Sequence, residues 1–105
     1  MAAQFRNALL NALSSSDREM LSPHLEHVTL ASGQVLIEPH RPIPHVHFME
    51  RGIALVTSHP GTKDEIEVGM IGHDGLSGLA VMLGGSESPF GVFVQKAGTA
   101  YRIAS

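Results

Sequence analysis

The chain has no cysteine and no tryptophan, and only one tyrosine. Without thiols it can form no disulfide, no cysteine-ligated zinc site or iron–sulfur cluster, and no thiolate nucleophile. With four phenylalanines as the other aromatics, the core has to come from Leu, Ile, Val and Met. No run approaches the roughly 18 consecutive apolar residues that a membrane-spanning helix needs. The N-terminus "MAAQFRNALLNALSSSDREM" carries no cleavage region, so a cytoplasmic protein is expected. Basic runs are missing too. Seven Lys and Arg stand singly against ten Asp and Glu, for a net charge of −3 with the histidines neutral. A nucleic-acid binder shows a basic stripe, because phosphate neutralisation supplies most of its affinity. Direct contact of these residues with DNA is therefore not expected.

What is present reads as globular: 43% of the 105 residues are hydrophobic and 16% charged, which argues against disorder and for one domain. A domain of this size buries only about two-thirds of its unfolded surface, so its stability is modest. Leu9, Leu10 and Leu13 lie at helical spacing in "QFRNALLNAL", with Phe5 one turn earlier. A second helix is expected in "SSSDREMLSPHLEHV". Ser16 and Glu19 have capping-box spacing, Asp17 suits the helix start, and Met20, Leu21 and Leu25 give the apolar side. Pro23 fits only near a restart.

From Val28 the period changes from helix to strand. "HVTLASGQVLIE" predicts two short strands about Ser32-Gly33, and "GIALVTSHPGTKDEIEVGMIG" a hairpin about Pro60-Gly61. On the second arm Ile66, Val68 and Met70 share a face opposite Glu65 and Glu67. "GVFVQKAGTAYRIA" predicts a further pair about Ala97-Gly98, and "DGLSGLAVMLGG" one helical interruption. Short, closely spaced strands of this kind make an antiparallel sandwich or roll.

Seven histidines need an account. His45 and His47 stand two apart on one strand face, as metal ligands do. With Glu50 they loosely resemble the His-x-His…Glu signature of cupins, which gives a small metalloprotein as the alternative function. A separation of three sends Glu50 to the opposite face of a regular strand. The alternation places Val46 and Phe48 in the core, which turns His45 and His47 to solvent. His24, His27, His40, His59 and His73 fall near element ends and are expected on the surface. Ser77, in "GLSGL", is not in a nucleophile elbow. Gly72, Gly75 and Gly78 lack the spacing of a dinucleotide fingerprint. Neither an enzyme nor a cofactor is expected.

Two short helices, then "SGQVLIEPHRPIPHVHFMERGIALV", "IEVGMIGHDGLSGLAVMLGG" and "FVQKAGTAYRI", resemble the N-terminal sensor domain of Crp/Fnr-type bacterial transcription regulators. The features that carry it are the Gly33 turn before Val35-Leu36-Ile37, the Phe48-x-x-x-Gly52 spacing, and the glycine-bearing insert from Gly72 to Leu83. The resemblance spans nearly the whole chain. It implies a mainly-β, α+β fold: an antiparallel β-roll (double-stranded β-helix) of the cyclic-nucleotide-binding type over residues 27–105, with a helical lead-in over 1–26, all one domain.

In that family the insert is the phosphate-binding cassette of a cyclic-nucleotide site. Backbone N–H groups meet the phosphate, an Arg neutralises it, and a Glu grips the ribose. Here the Glu place falls at Ser77 or Gly78 and the Arg place near Phe90, and no Arg or Lys lies between Lys63 and Lys96. The implied effector site is therefore Gly75, Leu76, Ser77, Gly78, Leu79, Pro89, Phe90 and Gly91, neutral and not suited to cAMP. Its occupant would be another small molecule, or the glycines serve only tight turns. The module would bias a two-state dimer, with DNA reached through a helix-turn-helix domain outside these residues. The roll is expected to lack its last strands. The strand "TAYRIA" should then expose an edge that favours self-association, and a bare interaction module is a third reading.

Overall fold

The computed structural model describes residues 5–104; residues 1–4 of the expected lead-in, and Ser105, lie outside that range. Two short helices come first, α1 (Ala8–Ala12) and α2 (Ser15–Leu21), followed by a 3₁₀ turn at Ser22–His24. The strands are β1 (Glu26–Leu30), β2 (Val35–Ile37), β3 (His45–Ser58), β4 (Ile66–Ile71), β5 (Leu76–Ser77) and β6 (Gly91–Ala104), with α3 (Leu79–Met82) between the last two. All pairings are antiparallel. Among the described residues no helix is long and apolar enough to cross a membrane.

The frame is β3 against β6, each of 14 residues. At about 3.3 Å per residue such strands run roughly 46 Å, close to the molecule's 49 Å long dimension. Three register shifts interrupt their ladder between Met49 and Ala54. Bulges bend and twist a strand pair, and here they divide the sheet into two halves. In one half β1 flanks the Gly98–Arg102 part of β6, and β5 flanks His47 and Phe48 of β3. In the other, β2 flanks Val92 and Phe93, and β4 flanks Ala54–Ser58. Between the halves lies the main core, which includes Leu30, Leu36, Ile37, Met49, Val94 and Ala100. Behind the first half, Phe5 and Leu10 of the lead-in cover Val46 and Phe48, joined by Leu21, Leu25, Tyr101 and Ile103.

Gly52 and Gly98 mark the tightest crossing of the two strands. A Cβ on Gly98 would lie 2.1 Å from the Arg51 carbonyl oxygen, and one on Gly52, where φ is +88°, 2.4 Å from that of Lys96. Gly98 therefore permits close backbone approach and does not turn the chain. The expected hairpin about Ala97-Gly98 is instead one continuous strand. For the same reason "TAYRIA" is no free edge: Thr99–Arg102 pair with β1, and Thr99–Ala104 with β3.

Three further expectations are corrected. Ser14, not Ser16, caps α2 by accepting from the Asp17 backbone N–H. Met20 is 74% exposed and leaves the apolar side of that helix to Leu21 and Leu25. Ile66, Val68 and Met70 do not keep one face, because the register shift between Val56 and Thr57 leaves Val68 as an extra residue and puts Ile66 and Met70 on opposite sides; they are 59%, 51% and 63% exposed. Helices cover the outer face of the first half-sheet, whereas among the described residues nothing comparable covers β4.

Candidate functional site

The insert begins with a tight turn in which the Gly75 backbone N–H donates to the Gly72 carbonyl at 3.0 Å. β5 then lays Leu76 opposite Phe48 and Ser77 opposite His47. Gly78 follows at φ +101° as the residue before α3, pressed against β3: an added Cβ would meet Val46 at 3.2 Å. After the single turn of α3 the chain reverses at Gly84, and the loop to β6 is tied to the segment before β3. The Ser86 carbonyl accepts from the Ile43 N–H and the Ser88 carbonyl from the His40 N–H, both at 2.8 Å. Phe90 is oriented by its own N–H, which donates to Ser88 Oγ at 3.1 Å.

Between this insert and the inner face of the second half-sheet lies a cavity of about 440 Å³. Leu76, Gly78, Leu79, Pro89 and Phe90 line it, five of the eight residues assigned to the effector site by sequence. The other three point to structural duties. The Gly75 carbonyl accepts from Asn7 Nδ2, Ser77 is buried beside His47, and Gly91 lies under Pro60, whose Cγ would stand 2.8 Å from a Cβ there. The opposite wall, which includes Ile37, Ile43, Val56, Ile71 and Val92, was not assigned from sequence. Apolar strand residues look the same in sequence whether they face a cavity or a neighbour. Among the described residues no charged side chain lines the cavity, and Ser88 is the one polar side chain there. Leu79, Leu83 and Phe90 leave much of their apolar surface open at the rim.

The histidine pair is only half as expected. His45 is partly buried and His47 is 3% exposed, so the expected outward orientation fails for His47. The cause is that this part of β3 is buried on both faces: Val46 and Phe48 pack under the lead-in, and Met49, on the same face as His47, belongs to the main core. The two rings lie 5.9 Å apart. Burial, with the electrostatics of the neighbouring His45 and Arg102, pushes the His47 imidazole down to about 4. Arg102 is itself held by Glu26, its Nε donating to Oε1 at 2.7 Å, and it holds the Glu26 carboxyl below its usual range. Glu50 faces the N-terminal arm and accepts from the Asn7 backbone N–H. His45, His47 and Glu50 are therefore not brought together, and among the described residues no group of three His, Asp or Glu is placed to hold a metal ion.

No protein-family model matches the sequence, and no curated protein does. Solved structures match over most of the chain. The N-terminal domain of a transcriptional regulator from Streptomyces coelicolor A3(2) is 18% identical with a TM-score of 0.73; the match covers 94% of this chain and 71% of that one. The sensor domain of the transcriptional regulator DNR from Pseudomonas aeruginosa is 13% identical with a TM-score of 0.72, over 91% of this chain and 65% of that one. The regulatory domain of Toxoplasma gondii PKA, solved with cAMP, is 14% identical with a TM-score of 0.77, over 94% of this chain. Only 38% of that longer chain is matched, so this chain spans well under half its length. Likeness at such identities establishes architecture: the chain has the β-roll fold of cyclic-nucleotide-binding domains, the fold shared by the sensor domains of bacterial transcription regulators.

Proposed function

We propose that this chain is the sensory module of a Crp/Fnr-type bacterial transcription regulator whose pocket takes an uncharged, largely apolar small molecule and not a cyclic nucleotide. One observation carries the reading: a cavity of about 440 Å³ without a charged side chain stands against the insert that resembles a phosphate-binding cassette. A cyclic nucleotide would bury its phosphate charge there without an Arg, since the described lining holds no Lys or Arg and none lies between Lys63 and Lys96. An unpaired buried charge costs several kcal/mol. The four residues of α3 are too few to replace a guanidinium with a helix dipole. Leu76, Leu79, Pro89 and Phe90 offer instead the apolar surface on which a neutral ligand gains affinity.

In this reading the domain catalyses nothing. Ligand binding shifts it between two arrangements, as far as its affinities for them differ. It works in the cytoplasm, and DNA contact belongs to another domain. The reading is tested by titrating the chain with cAMP and cGMP, and with the neutral fluorophore N-phenyl-1-naphthylamine. No saturable nucleotide binding is expected below about 1 mM. The fluorophore should bind, and Leu79→Glu at the exposed rim should weaken it about tenfold without loss of fold. Micromolar cAMP affinity, or fluorophore binding indifferent to Leu79→Glu, would sink the proposal.

A further inference from the structure

A second cleft, of about 620 Å³, opens at the bulges where the two half-sheets join, lined by a different set of residues. It gathers Arg6, Arg51 and Lys96 with His73, so three of the chain's seven Lys and Arg, drawn from three distant segments, meet at one depression. Among the described residues none of the three is in an ion pair; the pairs there are Arg41–Glu38 and Arg102–Glu26. Of the two carboxylates at the same cleft, Asp74 is exposed, while Glu50 is buried and occupied by the Asn7 backbone N–H. One net positive charge remains in a molecule whose total is −3.

The backbone beneath these cations is fixed. Arg6 lies between two buried residues, Phe5 and Asn7. The Asn7 side-chain amide donates to the Met49 and Gly75 carbonyls at 2.7 Å each, and the Ala8 N–H donates to the His73 carbonyl at 2.7 Å. These bonds bring Arg6 and His73 to the same rim. Arg51 sits within the β3 bulges, where the register shifts turn it outward while Glu50 turns inward. Lys96 reaches the cleft from β6, where the two backbones nearly touch at Gly52. Guanidinium forks and an ammonium converging on an anchored concavity suit oxygen anions carrying more than one charge.

We propose that this cleft binds a small oxyanion ligand bearing two or more negative charges, at a site separate from the apolar cavity. Pyrophosphate and citrate, as phosphate and carboxylate representatives, are titrated by calorimetry into the 105-residue chain at low salt, with acetate as the single-charge reference. At least one should bind saturably with a submillimolar Kd and more tightly than acetate. Arg51→Gln and Lys96→Gln should each weaken it about tenfold, while Arg41→Gln and Lys63→Gln, outside the cleft, leave it unchanged. Tighter pyrophosphate assigns a phosphate ligand, and tighter citrate a polycarboxylate. No saturation of either by about 10 mM, or equal affinities in all four variants, overturns the proposal. Neither result bears on the apolar cavity, whose lining shares no residue with this cleft.

Discussion

His47 carries a pH dependence that follows from its burial. Its folded-state value near 4 lies below the roughly 6.5 of an unfolded histidine, so between those values the unfolded chain binds the extra proton. Stability is then fully present above about pH 6.5 and falls as the pH drops towards 4, by about 2 kcal/mol from this residue between pH 7 and pH 5. Urea denaturation of wild type and His47→Leu at the two pH values checks it: the variant should lose about 2 kcal/mol less than wild type on acidification. Equal losses would contradict the assignment. The neighbours sharpen the effect. His47 Nδ1 and the Oγ of Ser77 opposite it are both buried without a hydrogen-bond partner among the described residues, so nothing there favours the charged ring.

Among the elements, the N-terminal arm depends most on one side chain. Asn7 Oδ1 accepts from the Leu9 and Leu10 N–H groups and starts α1, while Nδ2 bridges to β3 and to the turn before β5. A helix of five residues has no stability of its own. It exists because Asn7 caps it and Leu10 is buried against Val46 and Phe48. Asn7→Ala removes a hydrogen bond from each of four buried or partly buried backbone groups, and should cost about 3 kcal/mol. Chemical denaturation measures the cost, and hydrogen exchange should show protection lost first over residues 8–21. A cost under about 1 kcal/mol would show that apolar contacts alone hold the arm.

For the whole molecule, charge placement decides what it can touch. The net charge is −3, and three of its cations converge on one cleft instead of forming a stripe. Three phosphate contacts are too few for duplex binding at physiological salt, since affinity grows with each counterion released. The chain alone should therefore give no mobility shift with duplex DNA, and a salt-sensitive shift would refute this. The same scale explains Ile103. It packs with Phe5 and Tyr101 on a central strand, so the expected self-association through "TAYRIA" loses its basis. Exposed apolar surface lies on β4 instead.

Local signals were enough for the strand-rich class, the Gly33 and Pro60-Gly61 turns, the helical lead-in and the apolar insert, because turn chemistry and periodicity act over a few residues. The absence of a cation across the insert was equally plain in the residue order. Tertiary structure decided what depends on a second layer. Alternation in "HVHFM" identifies two faces but cannot say that both are buried, so His47 read as a surface residue. Gly98 has the composition of a turn, and only the approach of β3 shows it to be a crossing point. Leu76, Leu79 and Phe90 were legible as one wall of a cavity, while Ile37, Val56 and Ile71 opposite came from segments far along the chain. Arg6, Arg51 and Lys96 share no motif at all. Hydrogen bonds from Asn7 and the bulges of β3 bring them together, and long-range pairing of that kind leaves no local trace in the sequence.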